Sequence, residues 1–341
     1  MKAHEFSDRN NLLEIQGLSV QYRTNRGSLK AVHDAGLHVK EGESVAIIGE
    51  SGSGKTTITS AVVRMLPMNA RIASGTITYR TASGSSVRLD SASEQQMRPL
   101  RWKEIVMVFQ ASQSSFNPVS RIYTHFLDTA RAHDPTAKTS VVLERSRELL
   151  NLVALDGKKV LNAFPHELSG GMKQRALIAL GLLLEPRLII LDEPTTALDL
   201  LTQKKILNIL QDLRKKYQFS MVFVTHDLGI VSRLADRVVV MYAGSIVEDA
   251  PWKEFYSNPM HPYSQGLIRA VPKLGTAVEK LYSIPGSTPD LVEKIPGCPF
   301  APRCPHSMDI CTRENPPLIR VGARRKASCH LLEEDTREYT P

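Results

Sequence analysis

The chain has 341 residues, 42% hydrophobic and 23% charged, a length beyond what one hydrophobic core normally fills, so a main domain plus an appendage is expected, with disorder only in the polar first ten residues and the last several. The opening Met1 to Asp8 has no apolar stretch of the secretory kind, and the longest apolar run, Ala176 to Leu184, is far below the ~20 residues that a membrane-spanning helix needs, so any membrane association is expected through another protein. The net charge of +8 is dispersed, with only short clusters such as Arg214 to Lys216 and Arg324 to Lys326, which read as solvated surface and not as a nucleic-acid interface.

From residue 12 to 80 apolar residues alternate (Leu13, Ile15; Leu18, Val20; Ile77, Tyr79), predicting antiparallel strands around a central strand and helix. The central strand is the run Val45 to Ile48. Directly after it comes Gly49-Glu-Ser-Gly-Ser-Gly-Lys-Thr56, a G-x-x-x-x-G-K-[ST] sequence with every position filled. Gly49, Gly52 and Gly54 let the backbone wrap a phosphate with its N–H groups inward, and the helix beginning near Lys55 aims its positive end at the same anion. Lys55 is expected to reach the β and γ phosphates of a nucleotide and Thr56 to hold Mg²⁺, with Glu50, Ser51, Ser53 and Thr57 completing the cradle.

Residues 81 to 95 are Ser-rich and polar, predicting a loop or hairpin excursion. A strand over Ile105 to Phe109 ends at Gln110, and from about 111 to 186 the patterns are helical, including Val141 to Val153. Within that stretch Leu168-Ser-Gly-Gly-Met-Lys-Gln-Arg175 places a turn, Ser169, Gly170 and Gly171, ahead of a helix over Met172 to Leu184, which makes a second anion-binding helix start. Arg187 to Pro194 reads as a buried parallel strand ending in two acids, with Asp192 placed to bind Mg²⁺ through water and Glu193 to polarise the water that attacks a γ phosphate. Ala197-Leu-Asp199 and Val224-Thr-His-Asp227 follow, and strands and helices alternate from 187 to 249 as in a parallel sheet with covered faces.

All four cysteines lie near the C-terminus as Cys298, Cys304, Cys311 and Cys329, spaced C-x5-C-x6-C-x17-C. Clustered thiols in a chain with no expected export signal argue for a metal site over disulfides. Four thiolates suit Zn²⁺ or an iron–sulfur cluster, although the paired C-x2-C knuckles usual for structural zinc are lacking. The surrounding Pro/Gly-rich segment has little obvious core, so a metal centre is expected to replace missing burial.

The ordered set from residue 12 to 250, with Leu168 to Gln174 at its centre, resembles the nucleotide-binding domain of the ABC-type ATPases. The resemblance implies an α/β P-loop fold with an antiparallel β subdomain, an inserted helical subdomain at about 111–186, and ATP and Mg²⁺ as ligands. Residue by residue, it implies that Tyr22 stacks on adenine, that Gln110 senses Mg²⁺ and the membrane partner, that Asp199 is the D-loop aspartate, and that His226 contacts the γ phosphate. It also implies two such domains packed head to tail, each ATP held between the Gly49–Thr56 segment of one and the Ser169–Gly171 segment of the other. One set of these sequences means that a second ABC ATPase subunit is required.

His261-Pro-Tyr263, Ile284 to Pro289 and Gly297 to Cys304 resemble the C-terminal extension of dipeptide and oligopeptide permease ATPases, some of which carry a [4Fe-4S] cluster there. This implies a Cys-rich extension over 251–341, with Cys298, Cys304, Cys311 and Cys329 as cluster ligands and zinc as the alternative. It further implies an ATP-hydrolysing motor at the cytoplasmic face of a bacterial inner membrane, working with a paralogous ATPase, two transmembrane permease subunits and, indirectly, an extracytoplasmic solute-binding protein. Relatives of this class also import nickel, glutathione or oligosaccharides, and the rival reading is a soluble ABC ATPase acting on nucleic acid. Two departures stand beside the matched positions: Ala111-Ser-Gln113 follows Gln110 where Asp-Pro is common in this class, and Leu200 follows Asp199.

Overall fold

A computed structural model describes residues 10–110, 115–196, 198–271, 282–293 and 295–332. Its strands are β1 (Asn11–Thr24), β2 (Gly27–Lys40), β3 (Ser44–Ile48), β4 (Ala70–Arg80), β5 (Ser86–Arg88), β6 (Ile105–Val108), β7 (Leu188–Asp192), β8 (Ser220–Thr225), β9 (Arg237–Tyr242), β10 (Ser245–Pro251), β11 (Ile319–Gly322) and β12 (Arg325–Ala327). Its helices are α1 (Lys55–Val62), α2 (Glu94–Met97), α3 (Ile122–His133), α4 (Thr139–Leu152), α5 (Gly157–Asn162), α6 (Gly170–Gly181), α7 (Leu200–Tyr217), α8 (Leu228–Leu234), α9 (Trp252–Ser257) and α10 (Pro262–Arg269). The described chain forms two compact units, one carried mainly by Val39–Ser44 and Thr78–Val224, the other by Glu14–His38, Val45–Ile77 and the segment from Thr225 onward. Compactness thus joins the C-terminal segment to the phosphate-loop segment.

In the first unit β6, β7 and β8 pair in parallel, with Ile105 opposite Leu188 and Leu188 opposite Ser220. Every residue of β7 and β8 is buried, the pattern of strands covered on both faces. Each fully buried Leu, Ile or Val of this kind stabilises the fold by roughly 1.5–3 kcal/mol. The expected hairpin excursion is present: β4 and β5 pair antiparallel, Thr78 with Arg88, and the Thr81 hydroxyl hydrogen-bonds those of Ser83 and Ser85 across the turn. The expected helical stretch folds as α3, α4, α5 and α6, with α4 packed against the other three. Its apolar face is Val142, Leu149 and Leu150.

In the second unit β3 pairs in parallel with β9, and β9 continues antiparallel into β10, then β12, then β11. The tail does not lack a core, contrary to the sequence expectation. Tyr242 of β9, Tyr263 of α10 and Phe300 form an aromatic cluster with ring centroids 4.7, 5.2 and 5.4 Å apart. Glu248 is fully buried and accepts from the backbone N–H groups of Met260 and His261 and from Arg325, so this charge is paired and its hydrogen bonds are made. Burial pushes the His261 imidazole down to about 3, and its neutral Nδ1 accepts the Tyr263 N–H at the start of α10. This core was invisible in sequence because Tyr242, Tyr263 and Phe300 lie far apart along the chain.

Candidate functional site

The phosphate loop is built where the buried strand β3 must turn into α1. Gly49 and Gly54 have φ of 151° and 99°, and a Cβ on either would lie 2.1 Å from the Met241 carbonyl or 2.3 Å from that of Ala31. Only glycine fits both the dihedral and the space. Lys55 is 7% exposed, and its Nζ donates to the Gly49 carbonyl at 2.9 Å, the Glu50 carbonyl at 2.7 Å and the Ser53 hydroxyl at 3.4 Å. The ammonium is therefore held back inside its own loop, while Ser51, Gly52 and Thr56 are exposed. Tyr22 on β1 is half-buried, and its hydroxyl hydrogen-bonds Thr57 at 3.1 Å, which brings the expected base-stacking ring to the first turn of α1. His226 is exposed just past β8, two residues before the start of α8, whose N-cap Asp227 accepts from Gly229 N–H at 2.7 Å.

In the other unit, Asp192 closes β7 at 1% exposure. Glu193 follows with φ of 48°, a left-handed conformation that a residue with a Cβ adopts at a cost of order 1–3 kcal/mol. Its backbone N–H donates to the Val224 carbonyl at 3.0 Å, which holds the strained peptide in place. Its Oε2 accepts from Gln110 Nε2 at 2.9 Å and from the Thr196 hydroxyl at 2.7 Å. Gln110 and Glu193, singled out separately in the sequence, thus meet; Thr196 was not foreseen, though its place three residues after Glu193 is the natural one for a short turn.

Ser169 caps α6 by accepting from Met172 N–H at 3.3 Å, and a Cβ on Gly171 would lie 2.5 Å from Thr202 Cγ2. Gly170 is the first residue of the helix. Asp199 caps α7: its Oδ1 accepts from the N–H groups of Leu201 and Thr202, and its Oδ2 from the Thr202 hydroxyl at 2.6 Å. The Thr202 hydroxyl bond holds the Asp199 carboxyl below the usual carboxylate range. The turn at Ser169–Gly171 and the residue Asp199 therefore share Thr202 as a neighbour. Arg175, also unforeseen in role, ties the start of α6 to its neighbours by donating to the carbonyls of Gly171, Val153 and Ala154. Ala111-Ser-Gln113 and Ala197 lie outside the described residues.

The four cysteines are brought within electrostatic reach of one another. Burial pushes the Cys329 thiol up to about 11, and Cys298, Cys304 and Cys311 each add to that rise. Cys298 and Cys304 are raised chiefly by burial as well, and opposing this, backbone N–H groups at Phe300, Ala301, His306 and Leu331 bond their sulfurs and that of Cys329. Yet among the described residues no group of three or more His, Cys, Asp or Glu side chains could hold a metal ion. The expected four-thiolate ligand set of Cys298, Cys304, Cys311 and Cys329 is therefore not assembled. Neutral buried thiols gain nothing by closing on one another unless a cation pays for their ionisation.

One unit thus carries a buried lysine in a glycine-shaped loop, and the other a held acid at the end of a parallel strand. The sequence description "ABC transporter" matches residues 32–196, and "Oligopeptide/dipeptide transporter, C-terminal region" matches 247–311. The dipeptide transport ATP-binding protein DppD of Caldanaerobacter subterraneus is 42% identical over 323 residues, 95% of this chain and 98% of that protein. The oligopeptide transport ATP-binding protein OppD of Bacillus subtilis is 39% identical, over 97% of this chain and 91% of that one. The solved dimeric structure of MJ0796, a bacterial ABC transporter cassette, superposes with a TM-score of 0.62 at 25% identity, covering 70% of this chain and 98% of the cassette.

The protein is an ATPase of the ABC transporter class. Within that class the chain belongs to the family of ATP-binding proteins that carry the oligopeptide/dipeptide-type C-terminal region.

Proposed function

We propose that this chain is the ATP-hydrolysing motor subunit of an importer for peptides. The observation that carries the reading is the union, in one continuous chain, of a phosphate cradle and a C-terminal region like that of dipeptide and oligopeptide transporters, with whole-chain likeness to DppD and OppD. No helix among the described residues is long and apolar enough to cross a membrane, so the chain is proposed to sit peripherally, at the cytoplasmic face, on two permease subunits. A second ABC ATPase, a paralogue, completes the assembly, and a solute-binding protein acts at a distance. Residues 12–250 form the nucleotide-binding domain in this reading, with the helical piece at about 111–186 receiving the permease and 251–341 forming the extension.

In the proposed chemistry Tyr22 covers the base, and the segment from Gly49 to Thr57 holds the phosphates, with Lys55 leaving its loop carbonyls for the β and γ oxygens. The oxygen donors Thr56, Gln110 and Asp192 suit Mg²⁺, which when bound would neutralise charge on the phosphates. Glu193 orients and polarises the attacking water, helped by the fixed direction that Gln110 and Thr196 give its carboxylate. His226 contacts the γ phosphate, while Ser169, Gly170, Gly171 and Asp199 serve the nucleotide of the partner ATPase. For the C-terminal segment the reading is a [4Fe-4S] cluster on Cys298, Cys304, Cys311 and Cys329, with zinc as the alternative. Its support is the clustering of the four cysteines and the likeness of the segment to the oligopeptide/dipeptide-type C-terminal region, and the thiols, not assembled as ligands in the structure, would have to draw together on the metal. Metal analysis of anaerobically purified protein decides this point, with iron and sulfide near four each per chain expected and a metal-free protein rejecting it.

The test of the transport reading is isolation of the tagged chain from native membranes. Two permease subunits and a second ABC ATPase are expected to accompany it, with ATPase activity lost in Lys55→Ala. Recovery alone, or with nucleic acid that stimulates hydrolysis, overturns the reading.

A further inference from the structure

Glu50, at the apex of the phosphate loop, is held at each of its polar groups. Its backbone N–H donates to the Tyr263 hydroxyl at 2.8 Å, and its carbonyl accepts from Lys55 Nζ at 2.7 Å. Its two carboxylate oxygens accept from the two terminal nitrogens of Arg303, at 2.8 and 3.0 Å. Arg303 belongs to the short turn Ala301–Arg303, between Cys298 and Cys304, and is 8% exposed. It is itself fixed: its Nε donates to the Pro285 carbonyl at 2.8 Å, its Nη1 to the Tyr242 hydroxyl at 3.2 Å, and its guanidinium lies 5.7 Å from the centre of the Tyr242 ring. A planar fork grasping a carboxylate in two places gives direction as well as charge.

Glu50 is the only acid in the segment Gly49 to Thr56, whose expected ligand is itself highly negative. Left uncompensated, that carboxylate would oppose the ligand from within the same loop. Arg303 cancels it, and by fixing Glu50 it also fixes the carbonyl on which Lys55 rests. We infer that Arg303 is a positioning residue for ATP binding, acting through Glu50 to neutralise the phosphate loop and hold its apex in shape. This rests on the ATPase reading above. It makes the C-terminal region part of the nucleotide-binding apparatus, which nothing in residues 49–56 alone discloses.

The experiment is titration of the full-length protein with a fluorescent ATP analogue, comparing wild type, Arg303→Met and the double variant Arg303→Met with Glu50→Gln. Arg303→Met is expected to weaken binding about tenfold, the size of one lost charge-assisted contact. Adding Glu50→Gln, which removes the exposed charge, is expected to restore binding to within about threefold. A residue that merely supported the fold would give no such rescue. Unchanged binding in Arg303→Met, or a double variant as weak as the single one, overturns the inference. Should Arg303→Met fail to fold, Arg303→Lys takes its place: keeping the charge but losing the two-point grip on Glu50, it is expected to weaken binding about threefold, and binding equal to that of wild type overturns the inference. Wild-type protein that ignores the analogue, matching Lys55→Ala, would remove the nucleotide reading together with this one.

Discussion

The apex of the phosphate loop and the end of strand β7 are both held rigidly, but by opposite means. Glu193 is fixed within its own unit: Thr196 is three residues away, Gln110 follows the neighbouring strand β6, and Val224 lies in the neighbouring strand β8. Glu50 is fixed by Tyr263 and Arg303, which lie 213 and 253 residues further along the chain. A site assembled from local turns and neighbouring strands can tolerate change elsewhere, whereas the phosphate loop depends on a segment that looks, in sequence, like an appendage.

The sharpest way to break this comparison is to remove the space that the loop needs. Gly54→Val places branched carbon where a single Cβ already meets the Ala31 carbonyl at 2.3 Å, in a backbone conformation with φ of 99°. The expected result is loss of nucleotide binding with destabilisation of more than ~3 kcal/mol, read by analogue titration and thermal melting. Near-normal melting and binding would mean that the loop is not packed as described.

Thr196→Val tests the opposite pole. It removes a 2.7 Å hydrogen bond to the Glu193 carboxylate while keeping the side-chain shape. Turnover in the assembled complex is expected to fall about tenfold with the KM for ATP little changed, because the bond directs the carboxylate and does not hold the nucleotide. A change confined to KM would place Thr196 in binding instead.

The smallest expected effect comes from the tail. His261 is kept neutral by burial, with its folded pKa lowered to about 3 from an ordinary 6.5. A group depressed in this way takes up protons only on unfolding, so its cost appears as pH falls below the unfolded value and grows until the folded one is reached. At pH 5.5 the loss is about 1 kcal/mol. His261→Asn keeps an acceptor for the Tyr263 N–H but does not titrate there, so its melting temperature is expected to fall less than that of wild type between pH 7 and 5.5. Parallel curves would show that His261 is not the titrating group.

What was legible in the sequence follows from the same contrast. Gly49 to Thr56 could be read outright, because its chemistry is that of a continuous backbone and each residue acts where it stands. Glu193 could be read as an acid after a buried strand, but not its left-handed φ of 48°, which depends on the Val224 carbonyl across the sheet. Asp199 was singled out for a nucleotide role, and its visible work is to cap α7, a local duty that the following Leu-Leu-Thr did not advertise. The four cysteines were recognisably a group, yet their spacing carried no information on how near the sulfurs lie, since that is set by turns at Ala301–Arg303 and Asp309–Thr312. The aromatic cluster of Tyr242, Tyr263 and Phe300 was out of reach, as pairwise contact between distant residues leaves no local pattern.

The central claim, that Glu193 performs hydrolysis on ATP held by the Lys55 loop, is tested most directly by measuring ATP binding and turnover of Glu193→Gln in the complex isolated from membranes. The account predicts that ATP is still bound with wild-type affinity and that turnover falls by ~10² or more, since the amide keeps the shape of the side chain and loses its power to polarise water. Hydrolysis at the wild-type rate would contradict it.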